Sequence, residues 1–231
     1  MAFFSLLMTA QAYAGGISVC ARVEADIKTF DRAIFSMKND FGQNPVNIRD
    51  KQWVAKKLNH MFAMDQYLRE TATNLASEKR YNEQETECFW HDLSPRWSDI
   101  DSANTADLKA LMKIYNWFWI SQFGLDINER AWNLAQHADQ DRVFQKEVLA
   151  LIKDAYPRGE ALAKHYAFLY DRVVWYGDGQ PQRYATQGQC KSPGNWQPQP
   201  TEDFGGVNRR RAQMGLNSFE ENKARLDKVC H

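Results

Sequence analysis

Val23, Ile27, Phe30, Ile34, Met37 and Phe41 fall at alternating steps of four and three along the chain. This is the rhythm of the 3.6-residue turn, so the segment reads as an amphipathic helix that must bury one stripe against a neighbour. Gly42 and Pro45 stop it. The same rhythm returns in Val54, Leu58, Met61, Leu68, Ala72 and Leu75, with one exception: the position between Met61 and Leu68 holds Asp65. A carboxylate on a buried stripe must be neutralised, paired or solvated, because burying it alone costs many kcal/mol.

The rest of the chain continues helix upon helix. Residues 77–103 are polar, contain Pro95 and show no steady period, which predicts an ordered loop carrying Cys88, Phe89, Trp90 and Trp97. Asn104 or Thr105 is expected to cap a helix with Leu108, Leu111, Met112, Tyr115, Phe118 and Trp119 on its face, ending at Phe123-Gly124. Asp126 opens another with Ile127, Ala131, Leu134, Ala135 and Ala138 inward. After a corner at Asp139–Asp141, a further helix runs through Phe144, Val148, Leu151, Ile152 and Ala155. Gly159 to Trp175 repeats the pattern up to Gly177-Asp178-Gly179. Residues 179–206 have the Gln, Pro and Gly of a linker, yet Tyr184, Cys190 and Trp196 imply a loop pinned to the body. Two short helices close the chain: Val207 to Met214, and one begun by Ser218 with Glu221 three residues on, a capping box. The fold class is therefore all-α, a multi-helix, bundle-like single domain over residues 15–231.

The first residues, MAFFSLLMTAQAYAGG, place an apolar run before Ala12-Tyr13-Ala14, the small-x-small pattern of a secretory leader cut after Ala14. A periplasmic or secreted protein is expected. No other apolar run approaches the ~20 residues of a membrane span. Cys20, Cys88, Cys190 and Cys230 are too far apart for a zinc or redox motif and read as two disulfides, with all three pairings open. Lysine plus arginine equals aspartate plus glutamate, 29 each, so no overall field favours nucleic acid.

Four polar concentrations stand out. Asp65, with Gln66 and Arg69 beside it, is either an intrahelical ion pair or the carboxylate of an internal cleft. His137, in WNLAQHADQDRVFQ from Trp132, has Asp139, Asp141 and Gln145 after it. It can act as acid, base or metal ligand, with Asp139 and Asp141 as further ligands or as its orienting partner, whereas the plain alternative is a helix corner in which the histidine complements the dipole and an aspartate caps the next helix. Asp171 and Arg172 precede a loop with Gln182, Arg183, Tyr184, Thr186 and Gln187, groups able to read a polar ligand or to satisfy irregular backbone. Arg209, Arg210 and Arg211 stand early in a helix, where the dipole disfavours them, so Glu202 and Asp203 should lie near. GxSxG, HExxH, GxxxxGK[ST] and GxGxxG are all missing. Neither a cofactor nor a metal is expected.

MDQYLR from Met64, WNLAQHADQDRVFQ from Trp132, YDRV from Tyr170, GQPQRYATQ from Gly179 and VNRRRAQMGL from Val207 occur in that order. With them the chain resembles a bacterial family of uncharacterised proteins found in secreted and lipoprotein forms, over about residues 58–216. The family usually has glycine where this chain has Ala185. No activity comes with the resemblance, but it picks out the same polar set: Asp65, Gln66, Arg69, His137, Asp139, Gln145, Asp171, Arg172, Gln182, Tyr184, Thr186 and Gln187. It implies that they converge on one cleft.

Three functions fit. The first is capture of a small polar or glycan-like ligand by amide, arginine and aromatic groups. The second is a metal-independent hydrolase or transferase, in which Asp65 or His137 acts as base and Arg69 or Arg172 steadies negative charge. The third, an interaction or immunity-type protein with a protein partner, needs no cleft.

Overall fold

A computed structural model describes residues 19–77 and 80–230. The leader expectation and its cleavage after Ala14 lie outside the described residues. Among the described residues are nine α-helices and a two-stranded sheet: α1 (Ala21–Gly42), α2 (Lys51–Ser77), α3 (Glu83–Tyr115), α4 (Ile120–Phe123), α5 (Leu125–Gln136), α6 (Arg142–Ala155), α7 (Ala163–Arg172), β1 (Gly188–Ser192), β2 (Asn195–Pro198), α8 (Val207–Gln213) and α9 (Phe219–Asp227). The strands form an antiparallel hairpin. No described helix is long and apolar enough to cross a membrane.

The expected loop over 77–103 is mostly helix, which corrects the sequence reading. α3 begins at Asn82, whose side chain caps Glu85 N while Glu85 reaches back to Asn82 N. It then runs through Pro95 without ending. Proline removes one N–H donor from the ladder. Beside that gap Ser94 Oγ also donates to Trp90 O and Arg96 Nη1 to Asp92 O, the latter at 2.6 Å. Asn104 and Thr105 are accordingly mid-helix, not caps, and the helix stops at Tyr115. Trp117 and Phe118 follow in irregular chain, fully buried.

The core has two main parts. At one end Val23, Ile27, Phe30 and Ile34 of α1 pack on Met64, Leu68 and Ala72 of α2 and Phe89, Leu93 and Ile100 of α3. At the other, Val54, Leu58 and Met61 of α2 and Leu108 and Leu111 of α3 meet the apolar faces of α5, α6 and α7. α2 and α3 therefore serve both parts, and Asp65 and Asp101 sit at the seam, where each stripe passes from one cluster to the other. A third cluster joins Ala185, Trp196, Val207, Phe219 and Cys230.

The disulfides pair Cys20 with Cys88, tying α1 to α3, and Cys190 with Cys230, tying the hairpin to the end of α9. They close separations of 68 and 40 residues. The helix expected over Gly159–Trp175 is shorter: α7 gives way to a π-turn over Val173–Gly177. The Gln/Pro/Gly-rich segment that follows is pinned, with the hairpin inside it and Gln182 bridged to Thr201. Ser218 and Glu221 form the expected capping box of α9.

Candidate functional site

Three helices meet at Asp65. Its side chain has no exposed surface and accepts hydrogen bonds from Arg69 Nη1 at 2.6 Å and Gln66 Nε2 at 2.7 Å, while His137 Nδ1 lies 2.9 and 3.1 Å from its two oxygens. Arg69 reaches on across α3, where Nη2 donates to both oxygens of Asp101 at 3.2 and 3.1 Å. The indole of Trp97 lies 5.0 Å beneath the guanidinium. A buried carboxylate is tolerated here because it is matched by charge and its lone pairs are occupied. Burial pushes the Asp101 carboxyl above its ordinary range, against the pull of Arg69; the charge of Asp65 adds to the rise and that of His137 opposes it.

The His137 ring is the C-cap of α5 and keeps 14% of its side-chain surface exposed. With Nδ1 turned to a carboxylate, the neutral ring must carry its proton on Nδ1, so Nε2 is the bare, basic nitrogen. No described residue hydrogen-bonds to Nε2. A buried carboxylate orienting an imidazole whose other nitrogen is free is the arrangement of a general base.

Asp139 and Asp141, two and four residues on, divide the work of the corner. Asp141 is the N-cap of α6, accepting from Phe144 N at 3.0 Å, and pairs with Lys109 at 2.6 Å. Asp139 binds Arg172 of α7 through both oxygens and Arg142 at 3.0 Å. Burial would raise its carboxyl, but the Arg172 hydrogen bond and charge, together with Gln145 and Arg142, outweigh that and hold it below the ordinary range. Gln145, fully buried, donates to Gln136 O at 2.8 Å and to Asp139 at 3.1 Å. The corner is thus a cap and a cluster at once. Asp65, Gln66, Arg69 and His137 are brought together, and Asp139, Gln145 and Arg172 adjoin them through the α5–α6 turn.

The loop residues form a separate cage. Asp171, buried at the end of α7, accepts from the backbone N–H of Arg183 (2.7 Å), Tyr184 (3.1 Å) and Thr186 (3.0 Å) and from the Thr186 hydroxyl (2.9 Å). Burial still leaves its carboxyl above the ordinary range. Gln182 spends both ends of its amide on backbone: Nε2 donates to Gln187 O and Gln199 O, and Oε1 accepts from Gln187 N. Gln187 Nε2 contacts Thr186 Oγ1 at 3.1 Å. Tyr184 packs edge-on against Tyr170, 5.9 Å between centroids. These groups hold the loop to α7, and the structure does not bring them to Asp65 by any described contact.

The basic run divides too. Arg210 pairs with Asp203 at 3.0 Å, as expected, while Glu202 takes Arg183 at 2.9 Å. Arg211, almost wholly buried, makes no salt bridge among the described residues: it donates to the carbonyls of Asn217 and Tyr184, each at 2.7 Å, with Ala185 O at 3.4 Å. Burial pulls its pKa below the ordinary range, and the charges of Asp171 and Glu220 oppose that. Sequence reasoning missed Asp101 and Arg142; Asp101 was hidden inside the supposed loop, although Phe89, Leu93, Ile100, Asn104, Leu108 and Leu111 continue the helical stripe around it.

Two surface grooves of about 500 and 560 Å³ run past Lys109 and Lys113, one between α3 and the α5–α6 corner at Gln140 and Asp141, the other between α3 and α6. Asp65 and His137 line neither.

The fold is a disulfide-linked helical body with a carboxylate–guanidinium–imidazole network at its seam. The chain belongs to a family of unknown function, DUF6624, whose model matches residues 56–230. No curated protein and no solved structure matches it.

Proposed function

We propose that the protein is exported and binds a small polar, glycan-like ligand at the α5–α6 corner, where the Asp65–His137 pair acts as the acid–base couple of a metal-independent hydrolase or transferase. One observation carries this reading: His137 Nδ1 is 2.9 Å from a fully buried carboxylate, and Nε2 is left without a partner among the described residues. In such a step Nε2 takes the proton of a water or sugar hydroxyl as that oxygen bonds to the ligand, and the imidazolium returns the proton to the departing oxygen. Asp65 fixes tautomer and ring angle. Arg172, brought to the same corner by Asp139, is placed to steady negative charge. Export is supported by the two disulfides, which persist in oxidising compartments.

The test is turnover of plain and N-acetylated oligosaccharides by the purified protein, read by mass spectrometry, with His137→Ala and Asp65→Asn beside the wild type. Loss of turnover in both variants with retained fold is the expected result. Turnover at the wild-type rate by His137→Ala removes the base; no binding of any sugar by the wild type removes the ligand class.

A further inference from the structure

α7 turns His165 inward, one turn before Leu169, so an imidazole takes a place on the face that packs against α5. The ring is fully buried. It lies flat on the indole of Trp132, with centroids 4.1 Å apart and planes 7° apart, and Phe168 meets the same indole edge-on at 6.1 Å. Trp132 Nε1 also donates to His165 O at 3.0 Å, so the stack and this hydrogen bond close one joint between α5 and α7.

Neither nitrogen of the His165 ring has a hydrogen-bond partner among the described residues. The charges that bear on the ring are Glu129 of α5, whose Oε1 is 3.4 Å from Nε2, and Lys164 of α7, which holds that same carboxylate at 2.9 Å. α6 and the turn after it, which also pack on α7, bring no charge to bear on it. Glu129 is therefore shared between a permanent cation and one that exists only when His165 takes a proton. The Lys164 hydrogen bond holds the Glu129 carboxyl below the ordinary range, so it is still charged where a histidine titrates. A neutral imidazole leaves one N–H unmet, whereas the imidazolium carries two N–H donors and a charge. Nε2 then has Glu129 close by, but Nδ1 has no acceptor among the described residues. The indole attracts a cation through its face, yet it accepts from neither N–H. A charge so poorly met in a closed interior is taken up by opening the joint instead.

We infer that the His165–Trp132 stack is an acid-released latch, in which protonation of His165 opens the α5–α7 joint. α5 ends at His137 and α7 at Arg172, which holds Asp139 at the corner. The latch thus governs how two parts of the candidate site meet; that consequence rests on the ligand site proposed above, and the latch itself does not. Burial pulls the imidazole down to about 4, with Glu129 opposing the fall and Lys164 adding to it. In the open joint the ring regains its ordinary value of about 6.5. The open state therefore binds more protons, so opening becomes easier as pH falls below about 6.5 and levels off below about 4. With those two values the opening constant rises about twentyfold between about pH 7 and about pH 5.

The experiment uses the disulfide-intact chain, isotopically labelled. Exchange of the Trp132 indole N–H with solvent is followed by NMR across that pH range, each rate divided by that of an unprotected indole at the same pH, and the His165 ring signals are titrated alongside. Protection of the indole is expected to fall about twentyfold in the wild type and less than about threefold in His165→Phe, which keeps a ring on the indole but has no site for the proton. Lys164→Met leaves the imidazole in place and alters only a half-exposed side chain. By freeing Glu129 for the imidazolium it is expected to raise the His165 titration midpoint, and it decides the matter alone should His165→Phe not fold. Three results overturn the latch: equal loss of protection in the wild type and His165→Phe, a His165 midpoint near the ordinary value of about 6.5 while the indole stays protected, or a midpoint that Lys164→Met leaves unmoved. No sugar enters these readings, so the latch can fail while the ligand site stands, and the reverse.

Discussion

Replacing Arg69 by methionine tests the seam most directly, because one guanidinium serves two buried acids. Arg69 donates through Nη1 to Asp65 and through Nη2 to Asp101, whose side chains keep 0% and 9% of their surface exposed. Methionine fills much of the space and removes the charge. Asp65 keeps Gln66 and His137, but Asp101 has no other described hydrogen-bond donor to its carboxylate. Breaking a buried pair from one side costs about 3–5 kcal/mol. With a urea slope of about 2 kcal/mol per molar, that moves the unfolding midpoint down by about 2 M. The pH dependence follows from the raised pKa of Asp101. A carboxyl whose folded pKa lies above its unfolded value binds its proton more tightly when folded, so its ionisation opposes folding at neutral pH. That cost disappears as pH falls through the folded pKa. Arg69 is the main influence lowering this pKa. Its removal raises the pKa further, and the variant's deficit should be greatest near neutrality and shrink by about 1.4 kcal/mol for each unit of added shift as Asp101 protonates. Arg69→Lys, which keeps charge but cannot span both acids as a fork, is expected to fall between. The assay is urea unfolding followed by circular dichroism at neutral and mildly acidic pH, with disulfides intact. A loss under about 1 kcal/mol near neutrality would show that the network is not a buried ion pair in the sense used here. A deficit that does not change with pH would refute the role given to Asp101.

Two further outcomes are expected. Ala185 is fully buried at φ +52°, in the left-handed region that costs a residue with a Cβ about 1–2 kcal/mol. Ala185→Gly should therefore raise stability by up to about 1 kcal/mol after glycine's greater entropy loss, read as a higher Tm, and a lower Tm would mean that the methyl's packing outweighs the strain. Replacing Cys190 and Cys230 together by serine reopens a 40-residue separation and should cost about 2–4 kcal/mol in urea unfolding; an unchanged midpoint would show that Trp196 and Phe219 alone hold the C-terminal segment.

Helix existence was legible wherever the four-three spacing ran on, even across a single polar position, since burial of one stripe is a local property of sequence. α1, α2, α6 and the capping box of α9 follow from it. α3 was not legible over its first half because proline and polar residues were read as a stop; the packing of Phe89, Leu93 and Ile100 on either side of Pro95 carries the helix through it. Of the candidate site, the awkward Asp65 was visible as a break in a stripe. Its partners across space were not: His137 is 72 residues away and Asp101 is 36 residues away by number.

The sequence by itself determined the helical class, the polar interruption at Asp65, an aspartate cap at the Asp139–Asp141 corner and an even set of cysteines, because periodicity, capping and thiol count are properties of neighbours along the chain. Only the tertiary structure decided which cysteines pair, that Arg69 bridges two acids, that Gln182 and Gln187 serve the backbone, and that His137 Nδ1 faces Asp65 while Nε2 has no partner among the described residues. Those depend on which helix faces approach one another, and the hydrophobic burial that brings them together constrains which stripe is inward without specifying its partner.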